Sequence, residues 1–151
     1  MLKYLVLIAL FLPFSEAHAH CEIPCGIYDD ARMFDEIEQH ITTIEKSINS
    51  IVKSENTHDI TRWTINKEDH AQKIQDIASS YFLTQRLKVN APQYMQQLLR
   101  LHLILTTSMK TKQTTDLSNV KNLRANVKGF EKLYFTPHEH KEKPSAPEAK
   151  K

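Results

Sequence analysis

Apolar side chains recur every three or four residues along most of the chain, which is the spacing of amphipathic helices. The clearest series predicts a first helix with one narrow buried face: Phe34, Ile37, Ile41, Ile44, Ile48 and Ile51. Residues 54–57 are polar and end this series. A second helix is predicted from Thr57 or Asp59 towards Gln85. Its inward positions are predicted to be Ile60, Trp63, Ile74, Ile77 and Tyr81.

Two further helices follow in the pattern. Pro92 marks the start of the third, because proline is tolerated in the first turn of a helix but not in its interior. The predicted buried face of this helix is Met95, Leu98, Leu99, His102, Leu105 and Met109. A turn at residues 114–116 caps the fourth helix, whose predicted buried face is Val120, Leu123, Val127, Phe130 and Tyr134. Core packing accounts for these stripes, including Trp63, Tyr81, Met95 and Met109. Four helices with short connections over residues 29–136 predict an all-α, antiparallel four-helix bundle.

The two ends of the chain differ from this bundle. Residues 1–19 contain Lys3, an apolar run over residues 4–12, and small residues at Ala17 and Ala19. This is the pattern of a secretory signal peptide that is cleaved after Ala19, and the run is too short for a stable membrane anchor. Residues 137–151 are charged and proline-rich, and we predict a disordered tail there.

Composition agrees with one helical domain. The chain has 151 residues, only two of them glycine, and it lacks Asn-Gly and Asp-Gly hairpin signals. The net charge is only +2, and no dense basic stripe with interleaved aromatic residues is present. The sequence therefore gives no support for a nucleic-acid partner.

The segment with distinctive chemistry is His20-Cys21-Glu22-Ile23-Pro24-Cys25-Gly26-Ile27-Tyr28, directly after the predicted cleavage point. It contains both cysteines of the chain. Two cysteines in an exported protein normally pair, so a small disulfide loop is one interpretation.

The new amino terminus supports a different interpretation. Cleavage before His20 creates an α-amine with an unperturbed pKa of about 8. This amine, the Cys21 backbone nitrogen and the Cys21 sulfur can close two adjacent five-membered chelate rings, and Cys25 can add a second thiolate. A planar set of two nitrogens and two sulfurs points to Ni(II) or Cu(II), whereas zinc prefers a tetrahedron. The His20 imidazole stays free to approach an axial position.

The stretch His-Cys-x-x-Pro-Cys-Gly-x-Tyr after a cleavage site resembles the metal-binding hook of the nickel superoxide dismutases. Looser similarity extends through residues 61–63 and 67–68 and covers nearly the whole mature chain. The resemblance implies the four-helix fold, nickel as cofactor, superoxide as substrate and a homohexamer. It also implies conversion of superoxide to dioxygen and hydrogen peroxide by cycling between Ni(II) and Ni(III).

The resemblance assigns roles over residues 20–28. The His20 amine, the Cys21 amide nitrogen and the Cys21 and Cys25 thiolates would bind nickel, and the His20 imidazole would join in the Ni(III) state. Pro24 would hold the turn of the hook, and Gly26 would let the backbone reverse beside the metal. Tyr28 would lie over the open face, although packing of the hook on the bundle is an alternative role for it.

Two residues outside the hook are weaker candidates. Glu36 lies at the position of a carboxylate partner for His20, of the kind that metal-bound imidazoles usually have. His70 lies where some family members carry an arginine that helps to hold the hook histidine, and an unrelated surface role is an equal alternative. Glu22 departs from the aspartate expected at its position.

Two other functions remain open from the residues alone. One is a non-catalytic protein that stores or delivers nickel or copper through the same terminus; the other is a disulfide-stapled helical interaction protein. An exported location is expected, with the periplasm favoured over an organellar lumen or the extracellular space. A signal peptidase and a nickel-delivery protein are the further partners that such a precursor implies.

Overall fold

The computed structural model describes residues 27–136 and consists there of four α-helices without a strand. Helix α1 spans Asp30–Lys53, α2 spans Thr57–Asp76, α3 spans Tyr94–Gln113 and α4 spans Leu117–Phe135. A π-helical segment, Ile77–Arg86, continues α2 without interruption. The predicted all-α four-helix bundle is confirmed.

The helices pack as neighbours in chain order. Helix α1 contacts α2 and α4, and α3 contacts α2 and α4, as expected for consecutive helices joined by short connections. Three helices begin at side-chain caps that the sequence supplies: Asp29 accepts from the backbone N–H of Arg32, Asn56 from that of His58, and Asp116 from that of Ser118. No helix between residues 27 and 136 is long and apolar enough to cross a membrane.

The predicted buried faces of α1 and α4 are confirmed. Five of the six predicted α1 positions are buried, and Ile51 is half-buried. In α4 the four positions from Val120 to Phe130 are buried, and Tyr134 packs partly exposed against the same core. Arg124 ties these two helices together at the surface, where its guanidinium contacts Glu38 and Glu45 of α1 at 2.7 Å and 3.1 Å.

The predicted buried face of α3 is wrong at four of its six positions, since only Leu98 and Leu105 are half-buried and pack against the core. Met95, Leu99 and Met109 are 66%, 57% and 44% exposed, and His102 is exposed as well. The prediction that Met95 and Met109 belong to the core is therefore also wrong. The face that packs against the bundle is Gln97, Leu101, Ile104, Thr107, Ser108 and Thr111.

A physical reason for the α3 error lies in its hydroxyl groups. The Thr111 hydroxyl donates to the Ser108 carbonyl at 2.7 Å, and the Thr107 hydroxyl donates to the Leu103 carbonyl. Because these groups are satisfied within their own helix, they can be buried at little cost, and their small size lets the neighbouring helices approach closely. Hydropathy alone assigns such residues to the surface.

Helix α2 shows a smaller correction. Ile74 and Tyr81 are buried as predicted and Ile77 packs partly against the core, but Ile60 and Trp63 are only half-buried. The buried face instead includes Lys67, which is 3% exposed. Its ammonium group donates to the backbone carbonyls of Thr111 and Thr114 at 2.9 Å and 3.3 Å. Lys67 thus satisfies carbonyls that the end of α3 leaves without helical partners.

Candidate metal centre and the surface beneath it

The residues predicted to hold the metal lie outside the described part of the chain. These are His20, Cys21 and Cys25, together with Pro24 and Gly26 of the same segment. The predicted signal peptide (1–19) and tail (137–151) lie outside it as well. The structure instead shows the surface at which the predicted hook joins the bundle, beginning at Ile27.

The described bundle offers no competing metal centre of its own. Among residues 27–136, no three histidine, cysteine, aspartate or glutamate side chains come together in a way that could hold a metal ion. Both cysteines of the chain belong to the predicted hook. The hook therefore remains the candidate for metal binding.

Of the four predicted catalytic residues, Tyr28 is the one that lies within the described part of the chain. Its ring is half-buried and packs against the edge of the core. The guanidinium carbon of Arg86 lies 4.4 Å from the centre of this ring, and Tyr81 meets it edge to face at 6.0 Å. Tyr28 is thus held between two residues of the π-helical segment, whichever role it has towards the metal.

Asp30, the first residue of α1, lies at the centre of a polar cluster beneath Tyr28. One carboxylate oxygen accepts from the Tyr81 hydroxyl at 2.6 Å and from Arg86 Nε at 2.8 Å. The other oxygen accepts from the Tyr134 hydroxyl at 2.8 Å and from Arg86 Nη2 at 2.6 Å. We call Asp30, Tyr81, Arg86 and Tyr134 the Asp30 cluster. It joins the start of α1, the π-helical segment and the end of α4.

The ionisation of the Asp30 cluster is stable over the usual working range of pH. Desolvation alone would raise the pKa of Asp30, but the hydrogen bonds from Arg86, Tyr81 and Tyr134 outweigh it and lower that pKa below its usual value. Burial and the hydrogen bond to Asp30 raise the pKa of Tyr134 to about 12, and the same causes raise that of Tyr81. The cluster therefore holds one carboxylate, one guanidinium and two neutral phenols near neutral pH.

The π-helical segment helps to place two members of this cluster. In a π-helix each carbonyl accepts from the amide five residues further on, as the Phe82 carbonyl does from the Leu87 N–H at 2.8 Å. Side chains support the wider turns: the Thr84 hydroxyl donates to the Ser79 carbonyl at 2.8 Å. Tyr81 and Phe82 are adjacent yet both buried. Such segments are frequent at functional sites.

Glu36 and His70, the two weaker candidates, lie on either side of a residue that sequence reasoning left aside. His40 Nδ1 is 3.0 Å from His70 Nδ1, and His40 Nε2 is 3.8 Å from one oxygen of Glu36. The other Glu36 oxygen is 3.8 Å from Arg32. His40 is 9% exposed, whereas the Glu36 side chain is 40% exposed and open to further contacts. The structure thus brings Glu36 and His70 into one connected group through His40.

The neighbours of His40 favour one arrangement of its proton. A carboxylate facing Nε2 favours a proton on that nitrogen, so Nδ1 is left as an acceptor. His70 Nδ1–H then donates to His40 Nδ1. Both histidines are neutral in this arrangement.

The histidine pair makes folding stability depend on pH. Desolvation lowers the pKa of His40 and of His70 below their usual value of 6.5. The charges of His70 and Lys73 further lower the pKa of His40, and the charge of Lys73 further lowers that of His70. The unfolded chain therefore binds more protons than the folded chain once the pH falls through about 6.5, and stability is lost in that window.

We expect the urea midpoint of the mature chain to fall as the pH is lowered from 7.5 to 5.5. A His40→Gln/His70→Gln double variant should show a shallower fall, whatever its absolute stability. The matched control is His58→Gln/His102→Gln, because both residues are exposed. An equal pH dependence for the two double variants would contradict the role assigned to the pair.

Sequence reasoning missed the residues that act around Tyr28. The sequence pattern places Asp30 near the start of the first helix and Arg86 near the end of the second, and it predicts no further role for either residue. Their partner Tyr134 is 104 residues from Asp30. No local pattern pointed to this cluster, because its members come from three elements that are distant in the chain.

The comparisons with known proteins bear on the family. The family model described as nickel-containing superoxide dismutase matches residues 15–138. No curated protein and no solved structure matches the chain significantly. The matched range spans the hook motif and all four helices, so the chain belongs to the nickel-containing superoxide dismutase family.

Proposed function

We propose that the chain, once residues 1–19 are removed, is a nickel-dependent superoxide dismutase that converts superoxide to dioxygen and hydrogen peroxide. The observation that carries this proposal is the family match over residues 15–138, a range that includes the segment 20–28. The described bundle supports it, because it presents a fixed surface directly after that segment.

The donor set of residues 20–25 fits nickel. The α-amine of His20, the amide nitrogen of Cys21 and the thiolates of Cys21 and Cys25 would supply the nitrogen and sulfur donors that divalent nickel accepts. Nickel, when bound, would supply the one-electron Ni(II)/Ni(III) couple that dismutation requires. Thiolate and amide donors lower the potential of that couple, and the His20 imidazole would favour its oxidised state.

The remaining residues would shape and support this set. Pro24 and Gly26 would hold the turn between the two cysteines. Tyr28 would limit access to the open face and hold water or substrate there. Glu36 is proposed to accept from the His20 imidazole, for which its exposed oxygens are available.

Formation of hydrogen peroxide also needs protons. The candidates in this chain are a cysteine sulfur, water held by Tyr28 and the His20 amine. Each of them belongs to residues 20–28, and none depends on a buried group of the bundle.

A metal carrier is the second candidate function, because the same donors could hold nickel or copper without turnover. One preparation of the mature protein separates the alternatives: nickel content, free thiols, superoxide decay by stopped flow, and electron paramagnetic resonance of the oxidised form. The enzyme should contain one nickel per chain, show a Ni(III) signal that reductant removes, and turn over superoxide. Tight metal binding without turnover would indicate the carrier. Absence of both metal and free thiols would indicate the disulfide-stapled protein.

We also propose a homohexamer. Helix α3 exposes side chains that the single bundle leaves uncovered, namely Met95, Leu99, His102 and Met109. Leu98 and Leu105 lie beside them, half-buried against the core. Contiguous apolar surface of this kind commonly marks contact with another protein. Sedimentation equilibrium of the mature preparation should give six times the mass of one chain, and a monomer would contradict the proposal.

Residues 1–19 place this enzyme outside the cytoplasm in our proposal, with the periplasm as the favoured compartment. A signal peptidase would cut after Ala19, and a delivery protein would supply nickel to the new terminus. Fractionation of the source cells, with sequencing of the native amino terminus, tests both points. A terminus other than His20 would contradict the processing.

A further inference from the structure

The Asp30 cluster anchors the chain immediately after the predicted hook. Asp30 is five residues beyond Cys25 and two beyond Tyr28. Each of its carboxylate oxygens accepts two hydrogen bonds, one from a tyrosine and one from Arg86. Bonds of this charge-assisted, two-point kind are stronger and more directional than those between neutral groups. The point where the chain leaves the bundle is therefore fixed in position and in direction.

Arg86 connects this anchor to Tyr28. While its Nε and Nη2 donate to Asp30, the guanidinium carbon lies 4.4 Å from the centre of the Tyr28 ring. A planar guanidinium can satisfy a carboxylate along one edge and stack on an aromatic ring with its face. One side chain thus holds both the backbone at Asp30 and the aromatic ring two residues earlier.

The surroundings leave Arg86 little freedom. The Arg86 side chain is 27% exposed, and that of Asp30 is 17% exposed. Tyr81 packs edge to face on Tyr28, the ring that the Arg86 guanidinium also contacts. The Tyr134 hydroxyl, at the end of α4, donates the remaining hydrogen bond to the Asp30 carboxylate. Three separate elements thus determine the place of one guanidinium.

We propose that Arg86 is a positioning residue for the reaction at residues 20–28, which it serves by fixing the ring of Tyr28 and the exit of the hook from the bundle. This inference rests on the proposed function for its catalytic consequence. The proposed role does not rest on attraction of superoxide, because the charge of Arg86 is paired with that of the Asp30 carboxylate at 2.6 Å.

The test compares Arg86→Lys with Arg124→Lys in the mature, nickel-loaded chain. Lysine keeps the positive charge but loses both the two-point contact and the stacking plane. Arg124 is the matched control, because it forms a similar partly exposed ion-pair group with Glu38 and Glu45 and contacts α1 elsewhere. We expect Arg86→Lys to lower kcat by about tenfold at unchanged nickel content, since small misplacement of a site residue is costly. Arg124→Lys should leave kcat unchanged.

A double-variant cycle shows whether Arg86 acts through Tyr28. If it does, the loss of kcat in Arg86→Lys/Tyr28→Ala should be smaller than the product of the two single losses, because only the contribution through Asp30 remains to be lost. Independent, multiplying losses would overturn the proposal. A loss in kcat/KM that disappears at high salt, with kcat unchanged, would also overturn it, because that pattern indicates attraction of the substrate anion.

A readout without activity separates failure of this inference from failure of the proposed function. The N–H groups of Arg32 and Met33 bond to Asp29 at the start of α1. Hydrogen exchange followed by mass spectrometry should show about tenfold faster exchange over residues 29–33 in Arg86→Lys than in Arg124→Lys. Equal exchange would overturn the positioning role even in an active enzyme. If the parent protein shows no superoxide turnover but Arg86→Lys still exchanges faster than Arg124→Lys, the structural role of Arg86 stands and the proposed function is rejected.

Circular dichroism shows whether each variant keeps its helical fold. Tyr134→Phe removes one hydroxyl from the cluster and keeps the ring, so it should give a smaller change of the same kind in both kcat and exchange. If Arg86→Lys does not fold, the proposal is tested by kcat and hydrogen exchange of Tyr134→Phe instead. No change in exchange for a folded Tyr134→Phe would then overturn the proposal.

Discussion

Protein that keeps Ala19 ahead of His20 should lose nickel-dependent dismutation while its bundle remains folded. One added residue converts the α-amine of His20 into an amide, which is no longer a neutral amine donor and must lose its proton before it can bind a metal. The helices begin at Asp30, ten residues later, and the buried apolar positions of the described residues begin at Phe34. Superoxide decay, nickel content and circular dichroism of material that starts at Ala19 or at His20 provide the measurement.

The control for this prediction adds one alanine after Lys151, at the far end of the predicted tail. That variant should match the parent in turnover and in nickel content. Equal turnover by the proteins that start at Ala19 and His20 would remove the α-amine from the ligand set. The proposed site would then have to be rebuilt on the cysteines and the imidazole.

Replacing Cys21 or Cys25 by serine should abolish nickel binding and dismutation together. A serine hydroxyl stays protonated near neutral pH and is a hard oxygen donor, whereas the thiolate is the soft donor that this nickel site requires. The free energy of unfolding should change by less than about 0.5 kcal/mol, as for surface substitutions away from the core. Nickel stoichiometry, superoxide turnover and urea denaturation measure the three quantities.

The cysteine variants also distinguish the metal site from a disulfide loop. If the two cysteines formed a structural disulfide, either substitution would leave the other thiol free and lower stability by about 2 kcal/mol or more. A variant with normal nickel content and rate would show that its thiolate is not a ligand. Because the chain contains only these two cysteines, thiol counting gives an unambiguous result.

The candidate site and the bundle differ in how far the sequence alone defines them. The hook can be recognised because its donors lie within six consecutive residues, 20–25, and its chemistry depends on their spacing and on a processed terminus. The family match is consistent with this motif, although residues 20–26 lie outside the described structure. Their ligand roles therefore stay a prediction until the metal is measured.

Helices α1 and α4 could be predicted because each has one apolar stripe. In α1 the isoleucines repeat so regularly that only one face can be buried, and in α4 the same holds from Val120 to Phe130. Helix α3 has two candidate faces, and local periodicity cannot choose between them. Packing against α2 and α4 decides which face of α3 is buried. Ser108 and Thr111 are fully buried there, whereas Met95 and Leu99 are exposed.

The sequence by itself determined the helical class, the starts of three helices and the faces of α1 and α4, and it predicts the chemistry of the terminal motif. Each of these depends on residues close together in the chain. Only the tertiary structure decided which face of α3 is buried, that Lys67 caps α3, that His40 joins Glu36 to His70, and that Arg86 holds Asp30 beneath Tyr28. The contacts from Lys67, His70 and Arg86 link residues 30 to 56 positions apart, so no local pattern carries them.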